Sequence, residues 1–288
     1  MSDPIALCLA GRLSPEVALA RLLLAGTPPE GIPARLAPHE APENPAWHRL
    51  SALADRSDAL ESLAAMLREA EVDHDPTGAT PEAAIATIAR VFDRAVARAP
   101  EASVAAYSLN DPAILLAATE EILAWLRSEA LIVPTTDALD LGCGIGRVAA
   151  SLAPHCRSVL ALDVSPGMVE EAHRRHGAIP NLRFATTPGT GLGAHPAAAF
   201  DLLLAVDSFP YLVQAGVAEP HLRDAARLLR PGGALAILNL SYRGDPEADR
   251  ADAASWAAQG GWQLAANGTT PFTIWDGRAF LFRRPMKA

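Results

Sequence analysis

From residue 137 onward the apolar positions of the chain fall into two alternating rhythms. DALDLG (137–142) is a short apolar run with one acid inside it, after Asp137 at its start, and GRVAASLAP (146–154) follows at helical spacing until Pro154 stops it. SVLALD (158–163) predicts a second strand and SPGMVEEAHRRHG (165–177) a helix closed by Gly177. LRFAT (182–186) predicts a third strand, and FDLLLAV (200–206) a fourth that is apolar on both faces. EPHLRDAARLLRPGG (219–233) reads as a helix with a glycine stop, and ALAILNLSY (234–242) as a fifth strand. In the tail, the turn signal Asp276-Gly277 lies between aromatic-rich runs and predicts one or two closing antiparallel strands. Apolar strands alternating with helices predict an α/β fold: a doubly wound, mostly parallel sheet covered on both sides, with an antiparallel C-terminal strand.

Upstream the rhythm is helical only. Ser14 is placed to cap a helix, with Pro15 in its first turn and Gly26 as its stop. The segment 28–45 carries six prolines and reads as an extended connector. A second helix is expected through 51–72, with Leu60, Leu63 and Leu67 on one face. Thr80 and Pro81 start a helix with Ile85, Ile88, Phe92 and Val96 inward; YSLNDP (107–112) breaks it. Asp111 and Pro112 start the next, with Leu115, Ala118, Ile122 and Trp125 inward. We therefore expect two domains: a helical N-terminal appendage with a Pro-rich connector over 1–76, and the α/β domain over 77–288. Packing, including a homodimer contact, is the expected role of the appendage, ahead of covering a substrate.

Charge narrows the partners. The chain has 33 acidic against 24 basic residues, a formal net charge of −9, and Lys287 is its one lysine. With no basic run, an acidic chain repels nucleic-acid phosphates and anionic lipid, so neither is expected as a partner. Cys8, Cys143 and Cys156 form no CxxC pair and no Cys/His cluster has zinc-ligand spacing, so reduced thiols and no metal are expected. Without a signal peptide or a long apolar window, a cytoplasmic location is expected.

The chemistry concentrates in ALDLGCGIGRVAASLA (138–153), where Gly142, Gly144 and Gly146 alternate after Asp140. Ligands of open parallel sheets bind beyond the carboxyl ends of the strands. A dinucleotide loop would read GxGxxG, but position 147 is Arg; a phosphate loop would need Gly-Lys-Ser/Thr, and there is no lysine here. An acid beside the loop suits a cation rather than a pyrophosphate. Twenty-one residues after Gly142, Asp163 ends the second strand, where a carboxylate can accept both hydroxyls of a ribose.

This two-acid frame, DLGCGIG followed by LALDVSPGMVEEA, resembles the class I S-adenosylmethionine-dependent methyltransferases, in their small-molecule branch. FDLLLAVDSFPYL and HLRDAARLLRPGGALAIL extend the resemblance, which covers about residues 80–288. It implies S-adenosyl-L-methionine as cofactor: Asp140 toward the ammonium, Gly142, Gly144 and Gly146 along the methionine arm, Asp163 on the ribose. Val164, Met168 and Val206 line the same site, and Tyr107 belongs to a lid. The acid that the family often places after the third strand is missing from ATTPGTGLG (185–193), so backbone around Gly189 and Thr190 is expected to hold the adenine. Asp207 and Tyr211, after the fourth strand, are the candidate catalytic residues; Asn239, Ser241, Tyr242 and Arg243 close the fifth. His221 is expected at a helix surface or cap. The expected reaction moves a methyl group to an oxygen or nitrogen of a small-molecule acceptor. A non-catalytic, cofactor-binding relative is the alternative, and a nicotinamide-dependent oxidoreductase a third reading that the glycine spacing disfavours.

Overall fold

The computed structural model describes residues 3–69, 80–193 and 195–286. By packing, the chain divides into two compact units. One comprises residues 1–72, 94–121 and 272–276; the other comprises 73–93, 122–271 and 277–288. The boundary expected at 76/77 lies outside the described residues, and the helical unit takes in two later segments that the sequence reading gave to the second domain.

In the sheet unit, the described residues form seven strands: β1 (Asp137–Leu141), β2 (Ser158–Asp163), β3 (Leu182–Thr186), β4 (Phe200–Val206), β5 (Leu229–Leu238), β6 (Gln263–Thr269) and β7 (Ala279–Arg283). Their order is β3-β2-β1-β4-β5-β7-β6; the first five run parallel and β7 is antiparallel to both β5 and β6. The reversal at the β1/β4 boundary is a topological switch point, where open α/β sheets bind their ligands. β1 is buried along its whole length, which explains its continuous apolar reading.

Two strands differ from the sequence reading. β5 begins at Leu229, so RPGG (230–233) lies within the strand rather than ending the preceding helix. The register shifts between Phe200 and Leu202 there, and Gly232 has φ 82°. A bulge at these glycines lets the strand start early. Arg230 then donates to Asp201 at 2.6 Å and to Asp137 at 2.9 Å, tying the entry of β1 to β4 and β5. The two closing strands β6 and β7 are joined by a long loop instead of a tight turn at Asp276-Gly277. In the sheet unit two described helices were not predicted: Phe209–Gln214, and Pro246–Gly260, whose Asp245 accepts from the amides of Glu247 and Ala248.

The helical unit packs around Ile5, Leu19, Leu22, Ile32, Leu50, Leu60 and Leu63, all fully buried. Ser14 caps the helix Pro15–Leu24 as expected, accepting from the Val17 amide at 3.1 Å. The Pro-rich segment is no extended connector. It folds into the short turns Pro29–Gly31, Ile32–Leu36 and Ala37–His39. Pro29, Pro33 and Pro38 each fall in the first turn of such a piece, where the missing N–H has no carbonyl to serve, and Pro45 opens the following helix in the same way. The helix expected over 51–72 is two, Pro45–Ala54 and Ser57–Glu69, and residues 70–72 lie outside the described ones. The segment 272–276 is held in this unit: the Ser14 hydroxyl donates to the Ile274 carbonyl at 2.5 Å, and Glu121 accepts from the amides of Thr273 and Ile274 at 3.1 Å. No helix among the described residues is long and apolar enough to cross a membrane.

Candidate active site

The glycines after β1 adopt the left-handed conformation at all three positions, with φ of 75° at Gly142, 54° at Gly144 and 80° at Gly146. Only glycine takes that backbone without strain. Two of them also make room for protein. A Cβ at Gly142 would fall 2.2 Å from the Ser208 Cβ, and one at Gly146 would fall 2.7 Å from the Phe184 ring. The alternating glycines therefore serve close packing against the segment after β4 and against β3. The amides of Gly142 and Cys143 both donate to the Leu162 carbonyl, at 2.7 and 3.0 Å, which fixes the loop over the end of β2.

Two carboxylates flank this loop. Asp140, on β1 between Ala161 of β2 and Leu204 of β4, is 1% exposed. Its Oδ2 has no hydrogen-bond partner among the described residues. Burial, reinforced by the charge of Asp163 and opposed by that of Arg147, pushes its carboxyl up to about 7. A carboxyl so raised, with a bare buried oxygen, leaves hydrogen-bonding capacity unmet inside the protein. Asp163, at the end of β2, accepts from the Gly144 amide at 2.8 Å and the Ser165 amide at 2.9 Å. Burial raises its carboxyl while these amides oppose the shift. Each of its oxygens keeps an acceptor site beyond one backbone donor.

The turn after Asp163 is secured by a residue that sequence reading missed. Asp93, on the helix Pro81–Arg98, accepts from the Ser165 hydroxyl at 2.6 Å and the Gly167 amide at 2.9 Å. Ser165 in turn caps the helix Pro166–His176 by accepting from the Met168 amide at 3.0 Å. An acid in the middle of an amphipathic helix reads locally as a solvated residue, so nothing in the pattern marked it. Ile85 was expected only as core. A Cβ at Gly189 would meet Val164 Cγ1 at 2.6 Å and Ile85 Cγ2 at 2.8 Å, so Gly189, Val164 and Ile85 meet at one place beyond β2 and β3. Thr190 follows, half-buried, and Met168 is fully buried beneath.

The strand ends on the other side of the switch point carry the polar residues. Asp207 and Asn239, just past β4 and β5, both have left-handed backbones, with φ of 55° and 68°. The Asn239 amide donates to Asp207 Oδ1 at 2.6 Å, and the Tyr242 hydroxyl donates to the Asp207 carbonyl at 3.2 Å. Tyr211 packs edge-on against Phe92, with centroids 5.1 Å apart, and against Tyr242, 5.6 Å apart. Burial and the Asp207 charge push its phenol above the ordinary range. Half-buried Val206 ends β4 beside Leu238. Next to Asp207, the Ser208 hydroxyl donates to the Leu141 carbonyl at 2.5 Å, joining this cluster to the glycine loop. Asp140, Asp163, the glycines, Val164, Met168, Gly189, Thr190, Val206, Asp207 and Tyr211 thus all belong to the carboxyl ends of the sheet unit's strands.

Tyr107 belongs to the helical unit, where its ring stacks on Trp275 at 5.6 Å. His221 is 2% exposed rather than a surface residue. It sits on the inward face of the helix Ala218–Leu228 with Leu222, Ala225 and Leu228, its Nδ1 bonded to the Val217 carbonyl at 2.8 Å. Cys143 is buried, and burial with the charges of Asp163 and Asp140 pushes its thiol well above the ordinary range, so it is no nucleophile.

Residues 138–233 match a family described as a methyltransferase domain. Methyltransferase cfoB of Aspergillus candidus is 36% identical over 101 residues, 34% of this chain and 30% of that protein. The S-adenosyl-L-methionine-dependent Diels-Alderase iccD of Talaromyces variabilis is 31% identical over 135 residues, 46% of this chain and 44% of that protein. The chain thus spans less than half the length of these curated relatives. Phosphoethanolamine N-methyltransferase 1 of Haemonchus contortus, solved with phosphoethanolamine and S-adenosylhomocysteine, shares the fold with a TM-score of 0.52 at 18% identity, over 73% of this chain and 51% of that one.

Proposed function

We propose that the chain, whose residues 138–233 match a methyltransferase domain, transfers a methyl group from S-adenosyl-L-methionine to a small molecule in the manner of the class I enzymes it resembles. One observation carries this reading: two buried carboxylates, Asp140 and Asp163, bracket a glycine loop, and Asp140 Oδ2 lacks a partner. That orphaned oxygen fits the cofactor's ammonium, and the open acceptor sites of Asp163 fit its ribose hydroxyls. Val164, Gly189 and Ile85 supply an apolar place for the adenine, with Thr190 beside it. The frame is anionic on both sides of the loop, which disfavours a pyrophosphate-bearing dinucleotide.

When bound, the cofactor supplies a methyl group on sulfur that leaves behind a neutral thioether. The chain's own work is alignment and exclusion of water. Asp140 and Asp163 hold the donor at its two polar ends, and Asp93 keeps the Asp163 turn in place through Ser165 and Gly167. Asp207, fixed by Asn239 and Tyr242, faces the acceptor side together with Tyr211. The raised phenol of Tyr211 stays protonated at neutral pH, so it donates a hydrogen bond or packs rather than removing a proton.

Calorimetric titration with S-adenosylhomocysteine tests the cofactor assignment. Asp163→Ala is expected to weaken binding about ten- to a hundredfold, the loss of charge-assisted bonds of roughly 1.5–3 kcal/mol. An unchanged dissociation constant, or no binding by the parent protein, defeats the reading. Incubation with radiolabelled cofactor and fractionated metabolites then tests transfer. Binding with no label passed to any fraction points to a cofactor-binding relative that does not methylate.

A further inference from the structure

Resting on the methyltransferase reading, we infer that the acceptor is an amine, received as its ammonium by Asp207 and the aromatic rings of Tyr211, Tyr242 and Phe92. The cluster stands next to the glycine loop, because Ser208 packs against Gly142 and bonds the Leu141 carbonyl at 2.5 Å. Its three rings meet edge to face, at 5.1 and 5.6 Å between centroids. Tyr242 is 53% exposed, which leaves the cluster open to an entering molecule. Ring faces beside a carboxylate attract organic cations by their quadrupole and by charge together.

The basic side chains that could serve an anionic acceptor are engaged elsewhere. Arg243, one residue beyond Tyr242, donates to Asp249 at 2.8 Å and to Asp252 at 2.7 Å. Arg278, whose backbone pairs with Asn239, directs its guanidinium to the Gly268 carbonyl at 3.4 Å. Burial first, and then the charge of Asp207, raises the Tyr211 phenol. A carboxylate acceptor therefore meets the Asp207 charge while Arg243 and Arg278 are held by other partners. A hydroxyl, far less acidic than an ammonium, needs a stronger base than the Asp207 carboxylate, and Tyr211 is protonated.

An ammonium needs no balancing cation and only a weak base. The bound ammonium gives one proton to water by way of Asp207, and its nitrogen lone pair then forms the new bond to the methyl carbon. The carbon–sulfur bond breaks, its electron pair stays on sulfur, and the methylated ammonium carries the positive charge. The backbone of Asp207 supports this role: a left-handed residue at a strand end is held there by its surroundings, and such strain gathers at functional sites.

The test uses the full chain saturated with S-adenosylhomocysteine at pH 7.5 and three probes of similar size: phenethylamine, 2-phenylethanol and phenylacetate. Calorimetry is expected to give phenethylamine at least about a tenfold lower dissociation constant than either other probe. Asp207→Asn, which keeps the shape and tolerates the left-handed backbone, is expected to erase that preference and leave S-adenosylhomocysteine affinity within about twofold. Equal or tighter binding of the alcohol or the acid, a preference that survives in Asp207→Asn, or no binding of any probe overturns the inference. Failure of S-adenosylhomocysteine to bind at all is a different result, and overturns the methyltransferase reading beneath it.

Discussion

Replacing Asp140 with asparagine separates the cost of burying this carboxyl from its use. The carboxyl is 1% exposed, with its pKa raised from the ordinary 3.8 to about 7. A raised acid binds its proton more tightly in the fold than in the unfolded chain. It therefore favours the fold at low pH, and that contribution is lost as pH rises from about 4 to about 7, at roughly 1.4 kcal/mol per pH unit. Above about 7 both states are ionised and the loss is complete, at most about 4 kcal/mol. Asparagine cannot ionise; its own buried amide costs about 1–3 kcal/mol at every pH. The difference in stability between Asp140→Asn and the parent should thus grow by about 3 kcal/mol in favour of the variant between pH 5 and pH 8. At about 2–4 °C per kcal/mol, that is a relative gain in Tm of about 5–10 °C. The assay is thermal unfolding of both proteins without cofactor across that range; taking the difference cancels the other titrating groups. The same variant should bind S-adenosylhomocysteine about ten- to a hundredfold more weakly, because the ammonium loses its charged partner. A difference in Tm that stays flat with pH, or an undiminished affinity, would refute the account of Asp140.

Two further substitutions probe the frame. Gly142→Ala combines a φ of 75° with a Cβ 2.2 Å from Ser208, and should cost about 2–4 kcal/mol in urea unfolding. Gly11→Ala has a φ of 67° but nothing within 4 Å, so it should cost only about 1–2 kcal/mol, and equal losses at the two sites would disprove the packing role of Gly142. Asp137, whose carboxyl is held below its ordinary range by Arg157, then Ser158 and Arg230, contributes stability present above about pH 4 and lost as pH falls further. Asp137→Asn should cost about 1–3 kcal/mol at pH 7, at the lower end because Arg157 is largely exposed, with the gap closing toward pH 2; a gap that persists in acid would contradict the ion-pair origin.

Much of the sheet unit was legible along the chain. β1, β2, β3 and β4 lie where the apolar runs placed them, and β2 coincides with SVLALD to the residue. The reason is local. A strand buried on both faces must be apolar throughout, and a glycine at positive φ has no substitute, so both leave marks that need no knowledge of the rest of the fold. Asp140 and Asp163 were legible for the same reason, as single acids at the ends of apolar runs. Ser14, Ser165 and the prolines in first turns announced their helices because capping is settled within a few residues.

What the tertiary structure decided is each choice of a distant partner. Asp93 reaches Ser165 across 72 residues, and Arg230 reaches Asp137 across 93. Nothing in a helical or strand period marks either pairing. The prolines of 28–45 looked like a connector because composition registers the lost N–H groups but not that Pro29, Pro33, Pro38 and Pro45 fall in first turns, where none is needed. His221 looked solvated because a lone polar residue on an amphipathic helix carries no sign of how deep the helix is set. The five residues 272–276 joined the helical unit through Ser14 and Glu121, bonds made some 150 to 260 residues away. Local periodicity fixes which residues turn inward together. Which buried faces meet, and which charges they bring into contact, is settled only when the chain closes on itself.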